Sequence, residues 1–148
     1  MRLVIQRVLQ AEVQVNENTV GKINKGLLVF VGAGHEDSRE VADKYLKKLL
    51  GLRIFEDENG KTNKSLADVD GQLLMVSQFT LYANCKKGNR PSFIEAGAPE
   101  QANELYEYML KEAAKVVPVV QHGIFGTDMK ISLENDGPFT VMLDESIM

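Results

Sequence analysis

Cysteine is nearly absent. Cys85 stands alone among 148 residues, so no internal disulfide can form. That usage fits a reducing, cytoplasmic home. Histidine is almost as scarce, at His35 and His122 only, and no His/Cys/Asp cluster has metal-ligand spacing. Neither a metal nor another cofactor is expected. No apolar run approaches the roughly 20 residues that a membrane span needs, so no membrane association is expected either. Met1 to Arg7 alternates and carries a second arginine at once, which reads as a first strand and not as a signal peptide. Positive charge is also in short supply: the formal net charge is −4 and the sequence pI is about 5.2. Sequence-blind nucleic-acid binding needs many cationic phosphate contacts. Any RNA contact is therefore expected to be local, on Lys86, Lys87 and Arg90. The plainer reading of that loop is a solvated turn.

Several chemical signatures are missing as well. Gly32-Ala33-Gly34 lacks the third glycine of a dinucleotide fingerprint and reads as a tight turn. Nothing around Ser77 resembles G-x-S-x-G, which leaves a Ser77–His122 pairing unsupported. Cys85 has no nucleophile signature around it and reads as a small, half-buried thiol. Thr80 could be a nucleophile only with an activating base, and the sequence offers none.

What remains is ordinary for a soluble globular chain: 44% apolar and 26% charged residues. The length suits one domain, residues 1–148, with a proper core. Residues 2–15 alternate with period 2, a strand with one wet face. Asn16-Glu17-Asn18 is a turn, and Val20–Ile23 returns as a short strand. Leu27–Val31 reads as a strand buried on both faces. Asp37 with Glu40 suggests an acidic capping box. Val41, Ala42, Tyr45, Leu46, Leu49 and Leu50 then define a helix over about 38–50, with Lys44, Lys47 and Lys48 on its wet face. Arg53–Phe55 is a short strand before an Asn59-Gly60 turn. Pro99 opens a second helix, about 99–115, with Ala102, Leu105, Tyr106, Met109, Leu110 and Ala113 as its stripe. Val116–Val120 contains Pro118 and reads as an edge strand. Met129–Leu133 and Phe139–Leu143 are expected strands, joined by a sharp turn at Asn135–Pro138. The sum is an α/β domain of about eight strands and two amphipathic helices, its sheet mostly antiparallel and curled towards a barrel.

One stretch organises the chain. Leu73-Leu74-Met75-Val76 is apolar on both faces, and polarity then switches at once to Ser77-Gln78-Phe79-Thr80. A buried strand that ends this way can bring polar groups to a rigid, enclosed place. The plainer reading is that Ser and Thr bond the last backbone groups of the strand. The N–H groups of Phe79 and Thr80 could face a developing oxyanion, which suits an already activated ester.

Ser77-Gln78-Phe79-Thr80-Leu81 together with Asn135-Asp136-Gly137-Pro138-Phe139-Thr140 resembles the motif pair of the D-aminoacyl-tRNA deacylases. Lys87–Phe93 and Gly123–Met129 resemble that family too, and the likeness runs from Met1 to Leu143. Phe139 departs slightly, since the family more often has a smaller β-branched residue there. The resemblance implies a cytoplasmic homodimer that hydrolyses the ester between a D-amino acid, or glycine, and the tRNA acceptor end. It implies that Gly137-Pro138 is a cis peptide reaching into the partner subunit's pocket. It implies that Phe125, Gly126 and Met129 lie near the terminal adenosine, and that Ser77, Gln78, Phe79 and Thr80 form the catalytic strand end. The ribose 2′-hydroxyl would then assist the attacking water. Two alternatives stay open: an editor of small L-aminoacyl-tRNA with a wider pocket, and a non-catalytic module that binds RNA ends.

Overall fold

The computed structural model describes residues 1–148. Strand β1 (Arg2–Val15) is the longest paired element, with β8 (Lys130–Leu143), and organises the sheet. On one side it pairs antiparallel with β2 (Asn18–Ile23) through its second half and with β3 (Gly26–Gly32) through its first half. On the other side it pairs antiparallel with β8 along almost its whole length. Strand β6 (Gln72–Ser77) lies parallel to β3, and β7 (Val120–His122) lies parallel to β6. The sheet order is β2-β1-β3-β6-β7, with β8 on β1. Its two ends approach each other, because Gly21 of β2 backs onto the His122 carbonyl of β7. The sheet is thus mixed, mostly antiparallel and nearly closed into a barrel. A small hairpin, β4 (Phe55–Glu56) with β5 (Thr62–Lys64), lies apart from it.

Alternation along β3 and β6 divides the apolar residues between two cores. Leu27, Val29, Val31, Leu73 and Met75 face the helices and belong to the larger core. Leu28, Leu74 and Val76 point the other way, into the barrel, with Val8, Val13 and Ile23. Helix α1 (Arg39–Leu50) buries Ala42, Tyr45, Leu46 and Leu49 in the larger core. Helix α2 (Pro99–Ala114) buries all six residues of its expected stripe there. Burial pushes the Tyr45 phenol up to about 12, so it stays neutral at any working pH.

Four local expectations change. Ser38, not Asp37, caps α1, its Oγ accepting from the Val41 N–H at 3.4 Å. Asp37 is already engaged: Oδ1 takes the Met1 ammonium at 2.6 Å and Oδ2 takes the Gly34 N–H at 2.6 Å. Val116–Val120 is not a strand at its start, because the N–H groups of Val116 and Val117 both bond the Ala113 carbonyl and finish α2. The strand begins only at Val120, beyond Pro118. Arg53 and Ile54 precede the hairpin strand, which starts at Phe55. Cys85 is exposed, not half-buried.

The largest change concerns Asn135–Pro138. It is no hairpin turn. Both flanks pair with the same strand in the same sense, from Gln14↔Lys130 to Val8↔Asn135 and again from Gln6↔Thr140 to Leu3↔Leu143. Opposite Arg7, β8 carries Asp136, Gly137, Pro138 and Phe139, and these loop out of the ladder.

The β3–β6 ladder leaves no space at its first rung. A Cβ at Gly26 would lie 1.8 Å from the Gln72 carbonyl oxygen, which is backbone and cannot step aside. Gly26→Ala is expected to cost at least about 3 kcal/mol, the upper part of the overpacking range, read as a lower urea midpoint at unchanged m-value. A variant within 0.5 kcal/mol of wild type would contradict the rigid ladder.

Candidate active site

Strand β6 delivers its polar end as the composition suggests, but the chain does not continue extended. The Gln78 N–H still bonds the Val31 carbonyl at 2.8 Å, one step beyond the ladder. The backbone then turns into a short 3-10 helix, Phe79–Tyr82. The first N–H groups of such a turn have no acceptor within it. Phe79 and Thr80 occupy those positions. The Gln78 side-chain amide donates to Thr80 Oγ1, so the threonine hydroxyl is bonded within its own turn.

The parallel pairing of β7 with β6 brings the Gly123–Met129 segment alongside. Met75 stands opposite His122, and the Gly123 N–H donates to the Met75 carbonyl at 3.1 Å. The same carbonyl accepts from the Tyr106 hydroxyl at 2.9 Å. Burial holds the Tyr106 phenol well above its ordinary pKa, so it acts as a neutral donor and not as an acid. Its ring supports Phe125, with centroids 6.3 Å apart. The chain beyond β7 therefore passes the end of β6 at a fixed height.

Between them lies a cleft of about 370 Å³. Ser77, Gln78 and Phe79 line one wall; Phe125, Gly126 and Met129 line the other. Thr127, Asp128, Lys130 and Ile131 complete it. Pattern reading missed these four, although they directly follow or flank the residues that the resemblance names. Asp128 is the only carboxylate on the wall. A smaller apolar recess beneath, shared by Met1, Ala102, Leu105 and Tyr106, closes the floor.

The remaining residues weighed at the sequence level do not line this cleft with their side chains. The Thr80 side chain does not line the cleft. His122 is exposed, with Nδ1 on the Gly123 carbonyl at 2.8 Å, and does not line it either. Lys86, Lys87 and Arg90 are exposed on a loop closed by paired bonds between Asn84 and Ser92. Gly137 and Pro138, joined by a cis peptide, are exposed and do not line the cleft of their own chain.

Arg7 holds the Gly137-Pro138 excursion in place, a role its lone position in an alternating strand did not announce. It is 4% exposed. Its Nε reaches the Asp136 carbonyl at 3.1 Å and the Asp136 carboxylate at 2.9 Å. Its Nη1 donates to the Ile54 carbonyl at 2.6 Å, and its guanidinium lies 4.4 Å from the Phe139 ring centroid. Where the ladder is interrupted, the Asn135 side-chain amide donates to the Arg7 carbonyl at 2.9 Å and to the Phe139 carbonyl at 3.2 Å. Gly137 itself is not crowded. A Cβ there would meet nothing nearer than Asn135 Oδ1 at 3.8 Å.

A model of the family described as D-Tyr-tRNA(Tyr) deacylase matches residues 4–144. The chain belongs to that family. As a deacylase it is a hydrolase acting on an ester bond. It is 53% identical over 146 residues to the D-aminoacyl-tRNA deacylase of Clostridioides difficile (strain 630), covering 99% of this chain and 98% of that one. It is 56% identical over 144 residues to the D-aminoacyl-tRNA deacylase of Lactobacillus acidophilus, covering 97% and 99%. Among solved structures, the c-Myc DNA Unwinding Element Binding Protein superposes with TM-score 0.92 at 38% identity, over 98% of this chain and 99% of that one. A probable eukaryotic D-amino acid tRNA deacylase shares the fold, with TM-score 0.84 at 20% identity over 96% and 97%.

Removing the Arg7 fork of this deacylase leaves the buried Ile54 carbonyl without its donor and releases the half-buried Asp136. Arg7→Leu is expected to lose about 2 kcal/mol or more and to speed amide hydrogen exchange around 135–139. Arg7→Lys should not restore either property, because an ammonium lacks the planar fork. Gly137→Ala should fold within about 0.5 kcal/mol of wild type. Destabilisation by Gly137→Ala as large as that by Arg7→Leu would show that the excursion is packed within its own chain.

Proposed function

We propose that this deacylase hydrolyses the ester joining a D-amino acid, or glycine, to the 3′ end of tRNA, as a cytoplasmic homodimer. The observation that carries the reading is the shared cleft: the end of β6 and the Phe125–Met129 segment face each other across a space suited to a nucleoside ester. In this reading Phe125, Gly126 and Met129 receive the terminal adenosine. The ester carbonyl lies at the opening of the Phe79–Tyr82 turn, where the N–H groups of Phe79 and Thr80 stabilise the developing oxyanion. Gln78 orients Thr80 and fixes that turn. The ribose 2′-hydroxyl of the substrate orients the attacking water, so the chain need supply no base. The carbonyl carbon passes through a tetrahedral adduct, the bond to the 3′ oxygen breaks, and that oxygen takes up a proton.

Chiral selection rests on exclusion. Gly137 and Pro138 are exposed and lie outside their own cleft, yet Arg7 and Asn135 hold the residues on either side of them, Asp136 and Phe139. A rigid, outward-pointing backbone element is suited to closing the cleft of a second copy. Two-fold symmetry would then make two equivalent sites. Backbone carbonyls placed around the α-carbon reject an L side chain by collision, which discriminates more strongly than a methylene's worth of binding. Glycine has nothing to collide.

Matched D- and L-tyrosyl-tRNA test the function, with glycyl-tRNA alongside. The D form and the glycyl form should be hydrolysed and the L form spared even at high enzyme. Equal rates on D and L would sink the chiral reading, preference for small L-amino acids would make this the sister editor, and protection of every ester would make it an RNA-end module. Thr80→Ala and Asp128→Asn test the mechanism. Each should keep at least about a tenth of wild-type kcat, since catalytic residues acting in a unit cost several orders of magnitude when removed. A loss on that scale in either variant, with folding intact, would replace backbone catalysis by a side-chain nucleophile or base.

A further inference from the structure

Phe79 is 58% exposed although it is aromatic and lines the cleft. It is not isolated. Its ring meets Phe93 edge to face, with centroids 5.2 Å apart and planes at 74°. Phe93 does not line the cleft, so the aromatic surface continues outward from the rim. Ile94 beside it is 81% exposed. An apolar surface of this kind at the mouth of a site asks for an occupant.

The surface is held rigidly. Asn84 and Ser92 exchange backbone bonds of 2.8 and 2.9 Å just before Phe93. The Phe93 carbonyl accepts from the Ala96 N–H at 3.0 Å, and the Ile94 carbonyl meets His35 Nε2 at 2.7 Å. The Gly97 N–H then bonds the Ala33 carbonyl at 2.8 Å. A partly exposed aromatic such as Phe93 on so fixed a backbone loses little freedom when it binds a flat partner.

Charge identifies that partner. The loop closed by the Asn84–Ser92 bridge carries Lys86, Lys87 and Arg90, all exposed and none in an ion pair. The carboxylate at its base, Glu95, accepts from the Asn84 side chain at 2.9 Å. Flat aromatic faces next to unneutralised cations are the means by which proteins hold single-stranded nucleic acid: bases stack and phosphates meet the charges.

We propose that the Phe79–Phe93 pair is a stacking platform for the base of the nucleotide preceding the terminal adenosine, with its phosphates facing Lys86, Lys87 and Arg90. This rests on the function proposed above and adds to it a second nucleotide subsite outside the cleft. The platform accounts for how an acidic chain holds an RNA end locally.

The test compares D-tyrosyl-tRNA with D-tyrosyl-adenosine, which has no preceding nucleotide, using wild type, Phe93→Leu and Phe93→Tyr. Base–aromatic stacking predicts that Phe93→Leu lowers kcat/KM on the tRNA about tenfold, carried by KM. Its rate on D-tyrosyl-adenosine should equal that of wild type, which also certifies the fold, and Phe93→Tyr should behave as wild type on both. Equal effects of Phe93→Leu on the two substrates, or none on either, overturn the platform. If wild type cleaves neither substrate, the proposed activity fails separately. A short RNA whose last two nucleotides are 2-aminopurine and adenosine then decides: quenching by wild type and not by Phe93→Leu supports the platform, and unchanged fluorescence with both overturns it.

Discussion

The parallel ladder from Gly26↔Gln72 to Val31↔Ser77 sets the terms for the rest of the molecule. Both strands have an apolar core on each side, so Leu73, Leu74, Met75 and Val76 are all 0% exposed. A polar side chain within that span would be stranded, at a cost of several kcal/mol without a partner. Polarity can therefore return only where the strand ends, at Ser77. The backbone there is fixed on one flank by Val31 and on the other, through Met75, by Gly123 and Tyr106. That double anchorage sets the height of the cleft, and it depends on hydrogen bonds between backbone groups, not on mobile side chains.

A second irregularity complements the first. Arg7 sits where the β1–β8 ladder breaks, and it converts the break into a firm projection. Its guanidinium replaces ladder bonds by contacts to Asp136 and Ile54, while Asn135 takes over its carbonyl. The protein thus has a cleft at one place and a rigid outward-pointing peptide at another. Neither needs the other for packing within one chain, as the open space beside Gly137 shows. A division of this kind makes sense if the projection serves another copy.

Much of the scaffold was legible because period and burial agree. The stripe of α2 is buried as read, and so is the centre of the α1 stripe, Ala42, Tyr45, Leu46 and Leu49, while Val41 and Leu50 at its ends are half-buried. The doubly apolar runs at 27–31 and 73–76 are central strands. Signals failed where a distant partner outweighed a local one. Asp37 resembles a cap, but the Met1 ammonium claims it. Val116–Val120 has β-branched residues, but the Ala113 carbonyl captures two of their N–H groups. Asn-Asp-Gly-Pro is a turn signal in any sequence. Only its pairing with β1, far off in the chain, makes it an excursion within one strand. Arg7 shares the odd, apolar positions of its strand, and only the distant Asp136 and Ile54 explain a charge there. The meeting of Ser77–Phe79 with Phe125–Met129 follows from a parallel β6–β7 crossover that no local pattern encodes. Family resemblance, not periodicity, put those two segments together.

In the proposed dimer a working site takes its cleft from one chain and its Gly137-Pro138 projection from another. Two variants test it: Thr127→Glu, which sets a repelling carboxylate on the cleft wall, and Gly137→Leu, which blocks the projection. Each alone should be nearly inactive on D-tyrosyl-tRNA. Unfolded together in equal amounts and refolded, they should regain roughly a quarter of the wild-type rate, because half the dimers are mixed and each mixed dimer has one intact site of two. A mixture that forms dimers yet stays at the sum of its parents would contradict the account.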